Sequence, residues 1–179
     1  MSFDLEKEVS DLAARRDIAK AVMDYMRGQD RLDWDLQRSA FHDDADLDCG
    51  LYRGGPDGYT DFAQGILADF KGSQHLIGQI DIDFVDEVRA MGEVYFIAWH
   101  RMTEEGEDKD LFIAGRYVDE YERRSGTWKI LRRREIVDWA RTDGVADHFI
   151  RDEASVNLAG RLGMDFSNTR DWASETSGR

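Results

Sequence analysis

The stretch QHLIGQIDIDFVDEVRAMGEVYFIAWHRM, residues 74–102, decides the fold. It is rich in isoleucine, valine and aromatic residues, its apolar and polar positions largely alternate, and Asp86-Glu87 interrupts it near the middle. That is the pattern of two long antiparallel strands joined by a turn. Two more runs of the same character follow over 111–122 and 127–139, set apart by 103–110 and by Ser125-Gly126. The last break reads as a short hairpin turn. The four runs together make one antiparallel meander.

Upstream of Gln74 the period changes. Leu5, Val9, Leu12, Ala19, Val22, Met23 and Met26 recur mostly at three- and four-residue spacing, which predicts a first helix with one apolar stripe, ended at Gly28. A short helical piece over 32–38 and an extended run over 41–52 come next. Gly54-Gly55-Pro56-Asp57 reads as a turn feeding another helix, with Pro56 in the first turn and Asp57 near the positive helix end. Tyr59, Phe62, Ala63, Ile66 and Phe70 give that helix its apolar face. Helices first and long strands afterwards imply an α+β fold. Strands this long must twist, so the helices are expected against the concave side of a strongly curved antiparallel sheet of four to six strands. The result is a cone with a pocket at its open end.

The chain's 179 residues suit one such domain, expected over residues 1–142, with 143–179 as a tail. In the tail Phe149, Ile150, Val156, Leu158 and Leu162 are expected to form a helix that closes the cone or docks on a neighbouring subunit. Hydrophobic residues at 41% and charged residues at 35% give a globular balance. No secretory leader or membrane-spanning run is visible, and Cys49, the single cysteine, has no disulfide partner, so a cytoplasmic protein is expected. The net charge of −14 works against binding nucleic acid or anionic membrane. The basic run Arg132-Arg133-Arg134 does not change this, because neighbours along a strand face opposite ways.

Four histidines occur, His42, His75, His100 and His148. Pairing about a turn centred on residues 86–87 sets position 75 opposite position 98, with His100 next to it on the same edge. Parity interferes. His100 shares a face with Val94, Phe96 and Ala98, whereas His75 shares its parity with Asp81 and Asp83, which look outward. A bulge at Gly78 would turn His75 inward; without it each histidine reads as structural. Asp33 suits an N-cap for the short helix. That leaves Asp30 without an evident structural task, although a turn-forming role stays open. An aspartate bonded to a histidine would orient the imidazole and raise its basicity.

The Asp30-Arg31-Leu32-Asp33-Trp34-Asp35 entry, the string Gln74-His75-Leu76-Ile77-Gly78, the His100 position and the run Tyr121 to Lys129 together resemble the SnoaL-like branch of the nuclear-transport-factor-2-like, cystatin-like cone superfamily. The resemblance spans about residues 8 to 142 and is nearest to the scytalone dehydratases and the hexachlorocyclohexane dehydrochlorinases. It implies an Asp–His dyad, Asp30 and His75, with His100 as a second catalytic histidine. It also implies a lyase or isomerase that needs no cofactor and no metal and removes a proton from a small, mostly apolar cyclic substrate. Tyr25, Phe62, Ile66, Phe96, Trp99, Arg116, Tyr117 and Trp139 are the expected substrate-binding residues. Where the dehydratases carry polar groups on the third long strand, this chain has Gly115 and Tyr117. A homodimer or homotrimer is expected. The competing reading is a non-catalytic ligand-binding cone, or a partner subunit like the small subunit of ring-hydroxylating dioxygenases.

Overall fold

The structure, a computed structural model, describes residues 3–147, 153 and 155–172. Three helices precede most of a six-stranded sheet. They are α1 (Leu5–Arg31), α2 (Trp34–Ser39) and α3 (Pro56–Asp69). The strands are β1 (Phe41–Asp48), β2 (Arg53–Gly54), β3 (Gly72–Phe84), β4 (Arg89–Glu104), β5 (Glu107–Arg124) and β6 (Thr127–Gly144), in the spatial order β2-β1-β6-β5-β4-β3. This is the expected α+β architecture of N-terminal helices on a sheet. The sheet is mixed, because β1 returns parallel to β6 while every other pair is antiparallel.

The strands outrun the sequence reading. Residues 103–110 look like a loop, yet β4 and β5 continue through them to a two-residue turn at Glu105-Gly106. Both turn residues have positive φ, 52° and 85°, as do Ser125 and Gly126 at 51° and 84°. That geometry matches the right-handed twist of paired strands and needs little sequence to specify it.

α1 also runs past its expected end. Gly28 does not stop it; the chain leaves the helix at Leu32, which is left-handed with φ 51°. Gly28 is instead a point of close approach, since a Cβ there would lie 2.4 Å from the backbone nitrogen of Gln37 in α2. Only the C-terminal half of the α1 stripe is buried. Ile18, Val22, Tyr25 and Met26 enter the core, whereas Leu5, Val9 and Leu12 in the first turns are exposed, as is Met23 beside Val22.

The core lies between the helices and one face of the sheet, built on Ile18, Val22, Tyr25, Phe41, Leu47, Val94, Tyr121 and Ile130. Within it Arg133 and Asp119 form a fully buried ion pair with contacts of 2.8 and 2.6 Å. The Arg133 guanidinium is sandwiched 4.4 Å from the ring of Tyr25 and 4.1 Å from that of Tyr117. Arg132 and Arg134 on either side of it are exposed, as strand alternation requires. Among the described residues no helix is long and apolar enough to cross a membrane.

In the tail, Phe149 and Ile150 lie outside the described residues. Among the described residues the expected helix is not seen over 155–164, and Phe166–Thr169 forms one helical turn. Leu158 and Leu162 are exposed, and the segment is held by polar contacts instead. Arg161 donates to the carbonyls of Leu67 and Phe70 at 2.9 and 2.7 Å and to Ser73 Oγ at 2.7 Å. The Leu162 amide donates to the Arg31 carbonyl at 2.8 Å.

Candidate functional site

Asp30 sits in the last turn of α1, buried, at the end of the helix where backbone carbonyls disfavour a negative charge. Desolvation adds to that penalty. What offsets both is His75. Its backbone N–H donates to both carboxylate oxygens at 3.1 and 3.0 Å, and its ring Nδ1 lies 2.7 Å from Oδ1. Both side chains are nearly inaccessible. When the carboxylate is the acceptor in this contact, Nδ1 carries the proton and Nε2 is left as the basic nitrogen.

A bulge in β3 makes this contact possible. His75 pairs with Ala98 and Ile77 with Phe96, but Ile80 pairs with Val94, so β3 carries one extra residue at Gly78-Gln79. Odd positions before the bulge and even positions after it therefore face the helices. His75 and Ile82 end up on the same side of the sheet.

The rings of His75 and His100 lie 5.2 Å apart, nearly edge to face, and Phe70 packs 5.1 Å from His100 on the other side. His100 is buried, and its Nδ1 has no hydrogen-bond partner. Burial, His75 and Arg161 push its pKa down to about 3, so the imidazole is neutral at physiological pH. A neutral His100 donates or accepts a hydrogen bond but does not serve as a cationic acid.

Both histidines border a cavity of about 210 Å3 between α3 and the sheet. Phe62, Ile66, Phe96 and Tyr117 line it, as the sequence reading expects, together with Tyr59, Leu67, Leu111 and Ile113. Four of the expected substrate-binding residues do not line it. Tyr25 is fully buried behind the wall, its hydroxyl 2.8 Å from that of Tyr59. Trp99 and Arg116 each adjoin a cavity residue on their strand and so point to the outer face. There Arg116 pairs with Glu93 at 2.6 Å and Asp138 at 3.1 Å. Trp139, opposite Ala114, is also on the outer face and 47% exposed.

The sequence reading omits Glu135, which lines the cavity from β6 opposite Tyr117. Burial raises its pKa against the opposing pull of Arg133 and His75. The phenols around the cavity are held protonated: burial pushes Tyr25 up to about 12, and Tyr59 and Tyr117 well above their usual value. Among the described residues no cluster of three or more His, Cys, Asp or Glu side chains is arranged to hold a metal ion. His42 is structural, its Nε2 2.8 Å from the Glu122 carbonyl.

The model of the SnoaL-like domain family matches residues 10–134 of this chain. Hexachlorocyclohexane dehydrochlorinase 1 of Sphingobium indicum is 31% identical over 125 residues, which cover 66% of this chain and 78% of that protein. The gamma-hexachlorocyclohexane dehydrochlorinase of the same species is 31% identical over 128 residues, covering 68% and 79%. Among solved structures, a candidate scytalone dehydratase from Novosphingobium aromaticivorans superposes with a TM-score of 0.68 at 25% identity, over 87% of this chain and 97% of that one. A type 2 hexachlorocyclohexane dehydrochlorinase gives a TM-score of 0.70 at 23% identity over 85% and 97%, a likeness of fold.

Proposed function

The chain belongs to the SnoaL-like domain family, and on that footing we propose that it is a cofactor-independent lyase or isomerase in which Asp30 and His75 form the base. The observation that carries this reading is the 2.7 Å contact between Asp30 Oδ1 and His75 Nδ1 beside an apolar cavity. Asp30 fixes the tautomer and stabilises the imidazolium, while Nε2 takes a proton from a ring carbon of the substrate. The released electron pair then forms a double bond and expels a leaving group, or returns to a proton at a neighbouring carbon. Phe62, Ile66 and Phe96 give the cavity a lining that suits a small, mostly apolar ring. His100, neutral, is assigned to hydrogen bonding with the substrate. The names of the relatives support elimination from a cyclic substrate. We also propose a homodimer or homotrimer as the working assembly.

The test is turnover of gamma-hexachlorocyclohexane and of cyclic β-substituted ketones by Asp30→Asn and His75→Ala. Each variant is expected to lose about 100- to 10,000-fold in kcat/KM, the usual contribution of a positioned base, with its melting temperature nearly unchanged. A His75→Ala protein that eliminates at the wild-type rate overturns the assignment. Wild-type protein that binds these rings but turns none over favours the non-catalytic cone.

A further inference from the structure

We propose that Glu135 is the proton donor of this cavity and that it selects a ring whose departing group is oxygen. The inference rests on the Asp30–His75 base proposed above and adds the acid that such a base lacks.

Glu135 faces the same cavity as His75 and His100. Among the described residues no hydrogen bond or ion pair engages its carboxyl group. The cation best placed to hold it ionised is Arg133, two residues away on the same strand; its Nε and Nη2 are engaged by Asp119, and its buried Nη1 makes no hydrogen bond to Glu135. The remaining titratable groups around it are His75 on β3, His100 on β4, Tyr117 on β5, Tyr25 on α1, Tyr59 on α3 and Cys49 beyond β1. Of these only the two histidines can carry positive charge, and His100 is held neutral by burial. Burial of a carboxyl without a hydrogen-bond partner in an apolar wall disfavours its charged form and favours the protonated one. A protonated carboxyl is a hydrogen-bond donor and an acid. The upward shift of Glu135 agrees with that geometry.

The chemistry then separates leaving groups. Chloride departs as a stable anion and needs no proton. Hydroxide is a poor leaving group, so C–O cleavage requires a proton on oxygen as the bond breaks. In the proposed step His75 Nε2 takes a proton from a ring carbon, and that C–H pair becomes the new double bond. The C–O pair leaves with oxygen, which receives the Glu135 proton and departs as water. The site is left with protonated His75 and ionised Glu135, and one proton passing between them through water restores it. The net change is an alcohol to an alkene and water, with no oxidation or reduction.

The experiment uses 3-hydroxycyclohexanone and 3-chlorocyclohexanone, which eliminate to the same enone, with wild type, Glu135→Gln, Glu135→Asp and His75→Ala. The carboxyl state of Glu135 is read separately by carbon-13 NMR titration of glutamate-labelled wild type against Glu135→Gln. Glu135→Gln is expected to slow hydroxyl loss about 100-fold or more and chloride loss by less than about tenfold, with Glu135→Asp recovering part of the difference. The wild-type dehydration rate should fall as pH rises through the Glu135 titration, and that limb should vanish in Glu135→Gln. A Glu135 carboxyl ionised at pH 7, or equal effects of Glu135→Gln on both ketones, overturns the inference while leaving the base intact. His75→Ala at full rate on either ketone overturns the base reading instead. Wild type inactive on both overturns the oxygen-bearing substrate class.

Discussion

At the scale of single residues, His100 carries a pH signature that its surroundings dictate. Its pKa in the fold is lowered from 6.5 to about 3, chiefly by burial. Above pH 6.5 the imidazole is neutral in both folded and unfolded chains, and no cost arises. Below 6.5 the unfolded chain takes a proton that the native site refuses, so stability falls by about 1.4 kcal/mol per pH unit until the native site titrates. Between pH 7 and 4.5 the unfolding free energy of wild type should therefore drop about 2.5 kcal/mol more than that of His100→Gln, measured by urea titration. Parallel acid branches for the two proteins would rule this out. The approach of His100 to His75 was legible in the sequence, because strand pairing follows from counting back along both arms of a turn. Asp30 was legible as an aspartate at the helix exit with no evident capping task. Glu135 was not. β6 carries an extra residue at Leu131, since Tyr121 pairs with Ile130 but Glu120 pairs with Arg132. That bulge turns the odd positions 133 and 135 inward after the even positions 128 and 130, and nothing in Leu131 itself announces it. A second irregularity at Asp138 carries Trp139 to the outer face for the same reason.

At the scale of elements, the dyad depends on how α1 meets α2 and β3. The Asp33 amide donates to the Gly28 carbonyl at 2.9 Å, and Asp33 Oδ1 accepts from the Leu36 amide at 3.0 Å, so the helix exit and the next N-cap form one unit. Asp30 lies inside that unit. Gly28→Ala drives a methyl group into the backbone of Gln37, which cannot move away as a flexible side chain would. The expected loss is about 1–3 kcal/mol of stability, as in other overpacked contacts, with a fall in turnover because Asp30 shifts with the helix end. Denaturant unfolding combined with kcat on the same preparation checks both parts. Unchanged stability would show that α2 gives way freely. Sequence reading took Gly28 for a helix stop, the commoner use of glycine, since a close approach between two helices leaves no local mark. The positions of the hairpins were clearer, because Ser125-Gly126 and Asp86-Glu87 interrupt runs of strong β character.

At the scale of the whole molecule, the sheet has two unlike faces. The helices cover one. On the other, Leu76, Ile97, Ala114 and Trp139 pair across four adjacent strands into one row, with Leu76, Ile97 and Trp139 exposed by 58, 45 and 47%. Met91, Tyr95 and Val118 are exposed large apolar residues as well. A chain with net charge −14 repels its copies at long range, so this row is not explained as a weak sticky patch. An apolar row of this kind, with exposed residues on three of its four strands, is the sort of surface that a partner covers. The proposed homo-oligomer places a second copy there. Arg116 beside the row already pairs with Glu93 and Asp138 on its own chain, which neutralises the charge that would otherwise be desolvated on contact. Sedimentation velocity at micromolar concentration should find a dimer or trimer for wild type. Ile97→Glu puts an unpaired carboxylate into the middle of the row and should shift the protein to monomer with its circular dichroism unchanged. Wild type sedimenting as a monomer, or Ile97→Glu assembling as tightly as wild type, would move the interface elsewhere or remove it. If assembly depends on this face, added salt should strengthen it by screening the acidic repulsion, the opposite of what an ion-paired interface would do.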